Sequence, residues 1–158
     1  MNQGTDQAAV TFHLHPSEDG LTLARRWMAL GYAGGFPERL RSRPIALERG
    51  YIRLECTLDP GHANLVGLVH GGVTASLVDM AGGGAAMTLL KPGETLLSTD
   101  LTLRFINAAP IGGNALIAEG RCVHQDARKV VVDVTVTTPE GLLIAHGTVG
   151  VSIRQPRA

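Results

Sequence analysis

Asn64, Gly71 and Asp79 follow one another as Asn64-x6-Gly71-x7-Asp79 within NLVGLVHGGVTASLVDMAGGGA, a spacing that joins a backbone donor and a carboxylate in one segment. When water attacks a carbonyl, its oxygen gains negative charge. A backbone N–H at a helix N-terminus is already oriented toward such charge and carries partial positive character. Gly71 opens the helical run, and without a Cβ it lets a carbonyl approach the backbone closely. Asp79 is a carboxylate that can orient and deprotonate the attacking water. Taken singly, Asp79 reads equally well as a buried carboxylate satisfied by backbone donors. With Asn64 and the His70-Gly71-Gly72 turn at matching spacing, the catalytic reading is the stronger.

These residues need a helix to carry them. The run from Gly71 to Leu90 has helical length and periodicity, with Val73, Leu77, Met80, Gly84 and Met87 on one face and Gly72, Ser76, Asp79, Gly83 and Ala86 on another. Asp79 is its only charge, so the helix is expected to be buried. The glycines at 82 to 84 each cost such a helix up to about 1 kcal/mol relative to alanine, so close approach of a sheet or a second subunit is expected to offset them. Before it, Ser17 or Asp19 can cap a short helix carrying Leu23, Trp27 and Leu30, which Gly31, Gly34, Gly35 and Pro37 end. Ile45 to Leu58 alternates as a strand. After the long helix, Thr99 to Phe105, Asn114 to His124, Val130 to Val136 and Leu143 to Val151 read as four strands joined as a meander. The pattern is α+β: an antiparallel sheet wrapped on one long central helix, with an extra N-terminal helix. Residues 1–44 are expected to be an arm and short helix, and 45–158 the main domain.

Composition narrows the classes. The 158 residues suit one domain, and 44% hydrophobic with 18% charged residues is the composition of a soluble globular protein. Fourteen basic residues balance fourteen acidic ones, which argues against a general binder of nucleic acid or membrane surfaces and permits self-association. Cys56 and Cys122 lie far apart in strand-like runs and read as buried, reduced thiols. His13-x-His15 lacks a carboxylate or thiol partner, so no metal is expected. The first residues lack a basic segment followed by an apolar one, so the expected location is cytoplasmic.

Over residues 45 to 154 the chain resembles the hotdog acyl-CoA thioesterases of the phenylacetic-acid-pathway type. The resemblance rests on Asn64, the Gly67-x-x-His70-Gly71-Gly72 turn, and Asp79 two helical turns on. LLSTDLTLRFINAAPIGG is similar to the family's next strand, with Ser98 in the place of its serine or threonine and Thr99 beside it. The resemblance implies a hotdog fold and thioester hydrolysis without a metal, cofactor or covalent intermediate. It also implies a homo-oligomer whose sites take Asp79 and Ser98 from one subunit and Asn64 and Gly71 from the other. Asn64 would hold the water or the departing thiolate. A dimer of dimers is the expected assembly, and acyl-CoA the expected partner. His70 and Gly72 join Thr99, Arg104 and Arg128 as candidate substrate contacts, although His70 also suits a loop-orienting role. The two arginines, like Lys129, stand near strand ends where CoA phosphates could be met or solvent faced.

Two other readings compete. A hotdog hydratase would need an aspartate followed five residues later by a histidine, whereas here His70 precedes Asp79 by nine. A non-catalytic acyl-CoA-binding regulator would need a DNA-binding module, and the 44 residues before the first core strand hold one convincing helix.

Overall fold

The computed structural model describes residues 15–155 with the exception of Ala33, so His13 lies outside the described residues. The elements are α1 (Gly20–Leu30), α2 (Gly35–Arg39), β1 (Ser42–Glu48), β2 (Tyr51–Thr57), a 3-10 turn (Pro60–His62), α3 (Gly71–Met87), β3 (Thr95–Phe105), β4 (Ala115–Gln125), β5 (Lys129–Thr137) and β6 (Leu143–Arg154). The strands form one six-stranded sheet in the order β1-β2-β4-β5-β6-β3, every neighbouring pair antiparallel. α3 packs across its inner face, touching β2, β3, β4, β5 and β6.

Period-two alternation builds the sheet side of the core. Ile52 and Leu54 on β2, Leu116 on β4, Val130 to Val136 at alternate positions on β5, and Val149 and Val151 on β6 are all fully buried. The glycines of α3 explain how the helix lies so close to them. A Cβ on Gly82 would come within 2.5 Å of Val149, and one on Gly84 within 2.8 Å of Ile52. From the opposite side, a Cβ on Gly120 of β4 would run into the Ala81 carbonyl. Gly83, between the two packed glycines, faces open space with nothing within 4 Å.

Three local expectations are corrected. The single strand expected from Ile45 to Leu58 is a hairpin, because Gly50 at φ +73° turns the chain and pairs Glu48 with Tyr51. Arg49-Gly50 was the signal, since a tight hairpin turn needs left-handed backbone that glycine adopts freely. The four later strands are not one meander: β4, β5 and β6 follow in sequence, but β3 pairs with β6 at the sheet edge. Turn residues announce that a chain reverses, not which neighbour it will join. Finally, the glycine-rich stretch after α1 contains the five-residue α2, with Pro37 in the first turn, where its missing N–H costs no helical bond.

α1 begins at the expected cap, Asp19, whose carboxylate accepts the Thr22 N–H at 2.8 Å. It buries Leu23, Ala24 and Trp27, and the Gly20 N–H donates to the Leu90 carbonyl at 2.9 Å, joining α1 to the segment that follows α3. β1 runs across the expected boundary between residues 44 and 45. Cys56 is buried as expected; Cys122 is only half-buried, and both are free thiols. Among the described residues no helix is long and apolar enough to cross a membrane, and no cluster of three or more His, Cys, Asp and Glu side chains could hold a metal.

Candidate active site

The N-terminus of α3 is held by His70, whose ring Nδ1 accepts the Gly72 N–H at 2.8 Å while its carbonyl accepts the Val73 N–H at 2.9 Å. The imidazole thus acts as an N-cap, filling the loop-orienting role that the sequence allowed it. Gly72 is small for this reason, since a Cβ there would come within 3.0 Å of Nδ1. With the Gly72 N–H engaged, the Gly71 N–H is left without a hydrogen bond among the described residues, at the positive end of a 17-residue helix. Gly71 also has a packing role: a Cβ there would lie 3.2 Å from the Phe105 ring.

Asn64 shapes the loop that leads into this helix. Its side-chain oxygen accepts the N–H groups of Val66 and Leu68, each at 3.0 Å. Two donors on the oxygen fix the amide's orientation and leave the NH2 group to donate elsewhere. The loop is pinned behind by His62, which is buried. Its Nδ1 accepts the Asp59 N–H at 3.1 Å, and its carbonyl accepts the His70 N–H at 2.8 Å. Asn64, Gly71, Thr74 and Phe105 line one cavity of about 340 Å³.

Asp79 meets Ser98 as the sequence suggested, with the serine hydroxyl donating to the carboxylate at 2.7 Å. A β-bulge makes the pairing possible. Ser98 opposes Val151 and Asp100 opposes Gly150, so Thr99 is the extra residue. Before the bulge Leu96 and Ser98 face α3; after it Leu103 and Phe105 do. Thr99 turns away, its single hydroxyl proton shared between two acceptors, the Asp100 carboxylate at 2.8 Å and the Gly150 carbonyl at 3.1 Å. Arg104 points from the opposite sheet face, beside His146 in the register. Arg128 sits in the β4–β5 turn, where Asp126 accepts its backbone N–H at 2.8 Å. Within one chain neither arginine is brought to Asp79.

The helix is largely buried as expected, but Asp79 is exposed in the single chain and is not a buried carboxylate satisfied by backbone donors, because α3 turns Val73, Leu77 and Val78 to the sheet and leaves the Gly72–Asp79 side uncovered. Gly71 and Asp79 are also separated by eight residues of α3, a rise of about 12 Å at 1.5 Å per residue. A carbonyl held by the Gly71 N–H is therefore out of reach of water activated by Asp79 of the same chain. Within one chain the free N–H and the serine-bound carboxylate stand apart on α3.

Residues 66–145, just over half of the chain, match the family model of the thioesterase superfamily. The chain belongs to this superfamily. Gly71, Asp79 and Ser98 lie inside that stretch; Asn64 stands two residues before it. A protein of Saccharolobus solfataricus named as an inferred esterase is 35% identical over 91 residues, which cover 56% of this chain and 57% of that protein's length. The crystal structure of a Haemophilus influenzae thioesterase superposes with a TM-score of 0.76 at 18% identity, over 84% of this chain and 90% of that one. A Streptococcus mutans protein whose crystal structure holds acetyl-CoA matches at TM-score 0.65 and 24% identity, over 73% and 90% of the two chains. These likenesses and the sheet wrapped on α3 make the fold the hotdog fold expected from the sequence.

Sequence reasoning overlooked Phe105 and Thr74 as neighbours of Gly71, and Trp27 as the wall of a second cavity. Phe105 read as an ordinary alternating strand position, and Thr74 falls on neither helix face that the sequence singled out. Trp27 stands outside the superfamily-like segment, and only packing brings it to α3.

Proposed function

We propose that the chain hydrolyses an acyl-CoA thioester at sites shared between two copies. The observation that carries this reading is the pair of separated halves on α3: a Ser98-oriented carboxylate at Asp79 and an unspent N–H at Gly71, about 12 Å apart along the helix. A two-fold axis that sets two α3 helices antiparallel would place Gly71 and Asn64 of one copy beside Asp79 and Ser98 of the other.

In that site Asp79 accepts a proton from water as the water oxygen bonds to the thioester carbon. The carbonyl oxygen becomes an oxyanion held by the Gly71 N–H. The carbon–sulfur bond then breaks, and the thiolate leaves to take up a proton, with the Asn64 NH2 available to steady the water or the thiolate. The thioesterase family, together with the acetyl-CoA held by the Streptococcus mutans neighbour, supports CoA thioesters as the substrate class. Aryl-acetyl and medium-chain groups are both compatible with this reading. Arg104 and Arg128 are assigned to CoA phosphates reached from a neighbouring copy, and residues 45–158 to the catalytic domain.

The test is release of free thiol from a panel of acyl-CoAs by the purified protein. Thiol release with at least one member is expected. Binding of every member without thiol release would mark an acyl-CoA-binding regulator, and water addition to an enoyl-CoA would mark a hydratase.

A further inference from the structure

A cavity of about 390 Å³ lies under α1, with Leu23, Trp27, Gly83, Met87, Leu90 and Leu96 among its lining residues. Two of these residues stand close to the Asp79–Ser98 pair along their own elements. Gly83 stands one helical turn beyond Asp79, a rise of about 6 Å. Leu96 stands two residues before Ser98 on the same strand face, on the near side of the bulge. A thioester carbonyl placed at Asp79 therefore stands about one helical turn from this mostly apolar hollow. The hollow is large enough for a small ligand group, for which roughly 300 Å³ is the usual lower limit.

Gly83 has no packing reason to be glycine, unlike its neighbours: a Cβ on Gly82 or Gly84 would collide with the sheet, and one on Gly83 would meet nothing within 4 Å. The missing side chain leaves the α3 wall of the hollow open. Two carboxylates also line the cavity, Glu18 in an ion pair with Arg26 at 3.1 Å, and Glu94 accepting the Lys91 N–H at 2.8 Å.

We infer that this cavity receives the acyl chain of the substrate, that the chain is apolar and uncharged at its far end, and that Gly83 sets the length that fits. The inference rests on the thioesterase reading for its substrate, and it makes α1 a specificity wall. A side chain at position 83 shortens the hollow one turn from the reacting carbon, so long acyl groups lose their place while short ones keep theirs. The Glu18 and Glu94 carboxylates repel an acyl group ending in a carboxylate.

The experiment uses calorimetric binding of non-hydrolysable alkyl-CoA thioethers, from ethyl to dodecyl, to the full-length protein and to Gly83→Ala and Gly83→Leu. Burial of each added methylene is expected to tighten binding up to about fourfold in the wild type, until the cavity is full. Gly83→Leu is expected to weaken the decyl thioether at least about tenfold and change the ethyl one less than about twofold, with Gly83→Ala between. A thioether ending in a carboxylate is expected to bind about tenfold more weakly than the alkyl one of equal length. Gly83→Ala keeps the test decisive should Gly83→Leu fail to fold. Length-independent binding in the wild type, or an equal loss at every length in Gly83→Ala and any folded Gly83→Leu, overturns the assignment. If the length pattern appears but no acyl-CoA is hydrolysed, the cavity stands and the hydrolytic reading falls.

Discussion

Asp79 and Ser98 share a hydrogen bond of 2.7 Å on an exposed helix face. Nothing in the chain's own packing requires a carboxylate there. Replacing Asp79 with asparagine keeps the shape and the partner but removes the base, so kcat is expected to fall by about 10² to 10⁴. Acyl-CoA binding and the melting temperature should stay close to wild type. Kinetics, calorimetry and thermal unfolding on one preparation check this, and a folded, binding variant with near-native kcat refutes the mechanism. Cys56 makes a different prediction. Burial is the main cause that pushes its thiol up to about 12, with Asp59 adding to the rise and Arg41 opposing it. Above the ordinary value of 9.0 the unfolded chain loses this proton while the folded chain keeps it, so Cys56 lowers stability progressively as pH climbs from 9.0 toward about 12. In neutral buffer Cys56 should resist a thiol reagent until the protein unfolds, as titration of native against denatured protein will show.

At the scale of the element, α3 is where three identical residues meet different surroundings. Gly82→Ala puts a methyl group against Val149 at 2.5 Å, and the rigid β-branched side chain cannot step aside. A loss of about 1 to 3 kcal/mol is expected. Gly83→Ala adds a methyl group to open space and removes a flexible residue from a helix interior, so a gain of up to about 1 kcal/mol is expected. Urea unfolding of the two variants checks the opposite signs. Equal destabilisation by both would mean that the helix does not approach the sheet as described.

At the scale of the whole molecule, β3 forms one edge of the sheet and carries exposed Leu97, Leu101 and Phe105, while Asp79 lies uncovered beside it. An 11-residue edge strand with apolar side chains is a natural surface for a second copy. If each site takes Gly71 from one copy and Asp79 from the other, Gly71→Val and Asp79→Asn chains are inactive separately. Co-assembled in equal amounts they should recover about a quarter of wild-type activity, because half the dimers are mixed and each mixed dimer has one intact site. Recovery of none would place the site within one chain. Light scattering at micromolar concentration is expected to show a tetramer built from such dimers, and an active monomer would contradict the shared site.

Periodicity identified the central helix and most strands, and residue type narrowed the α1 cap to Ser17 or Asp19, because each depends on residues that are neighbours along the chain. The Asn64–Gly71–Asp79 spacing likewise singled out the loop, the helix start and the carboxylate. Pairing across the sheet was beyond its reach. β3 lies beside β6 because of contacts made some 50 residues apart, and turn residues between β3 and β4 carry no record of them. The bulge at Thr99 depends on the same distant pairing and decides that Ser98, and not Thr99, faces the helix. Only tertiary structure could separate Gly83 from Gly82 and Gly84, since what distinguishes them is the presence or absence of Val149 and Ile52 opposite. Only it could bring Trp27 of α1 against α3, because the burial that joins them is blind to the distance between them in sequence.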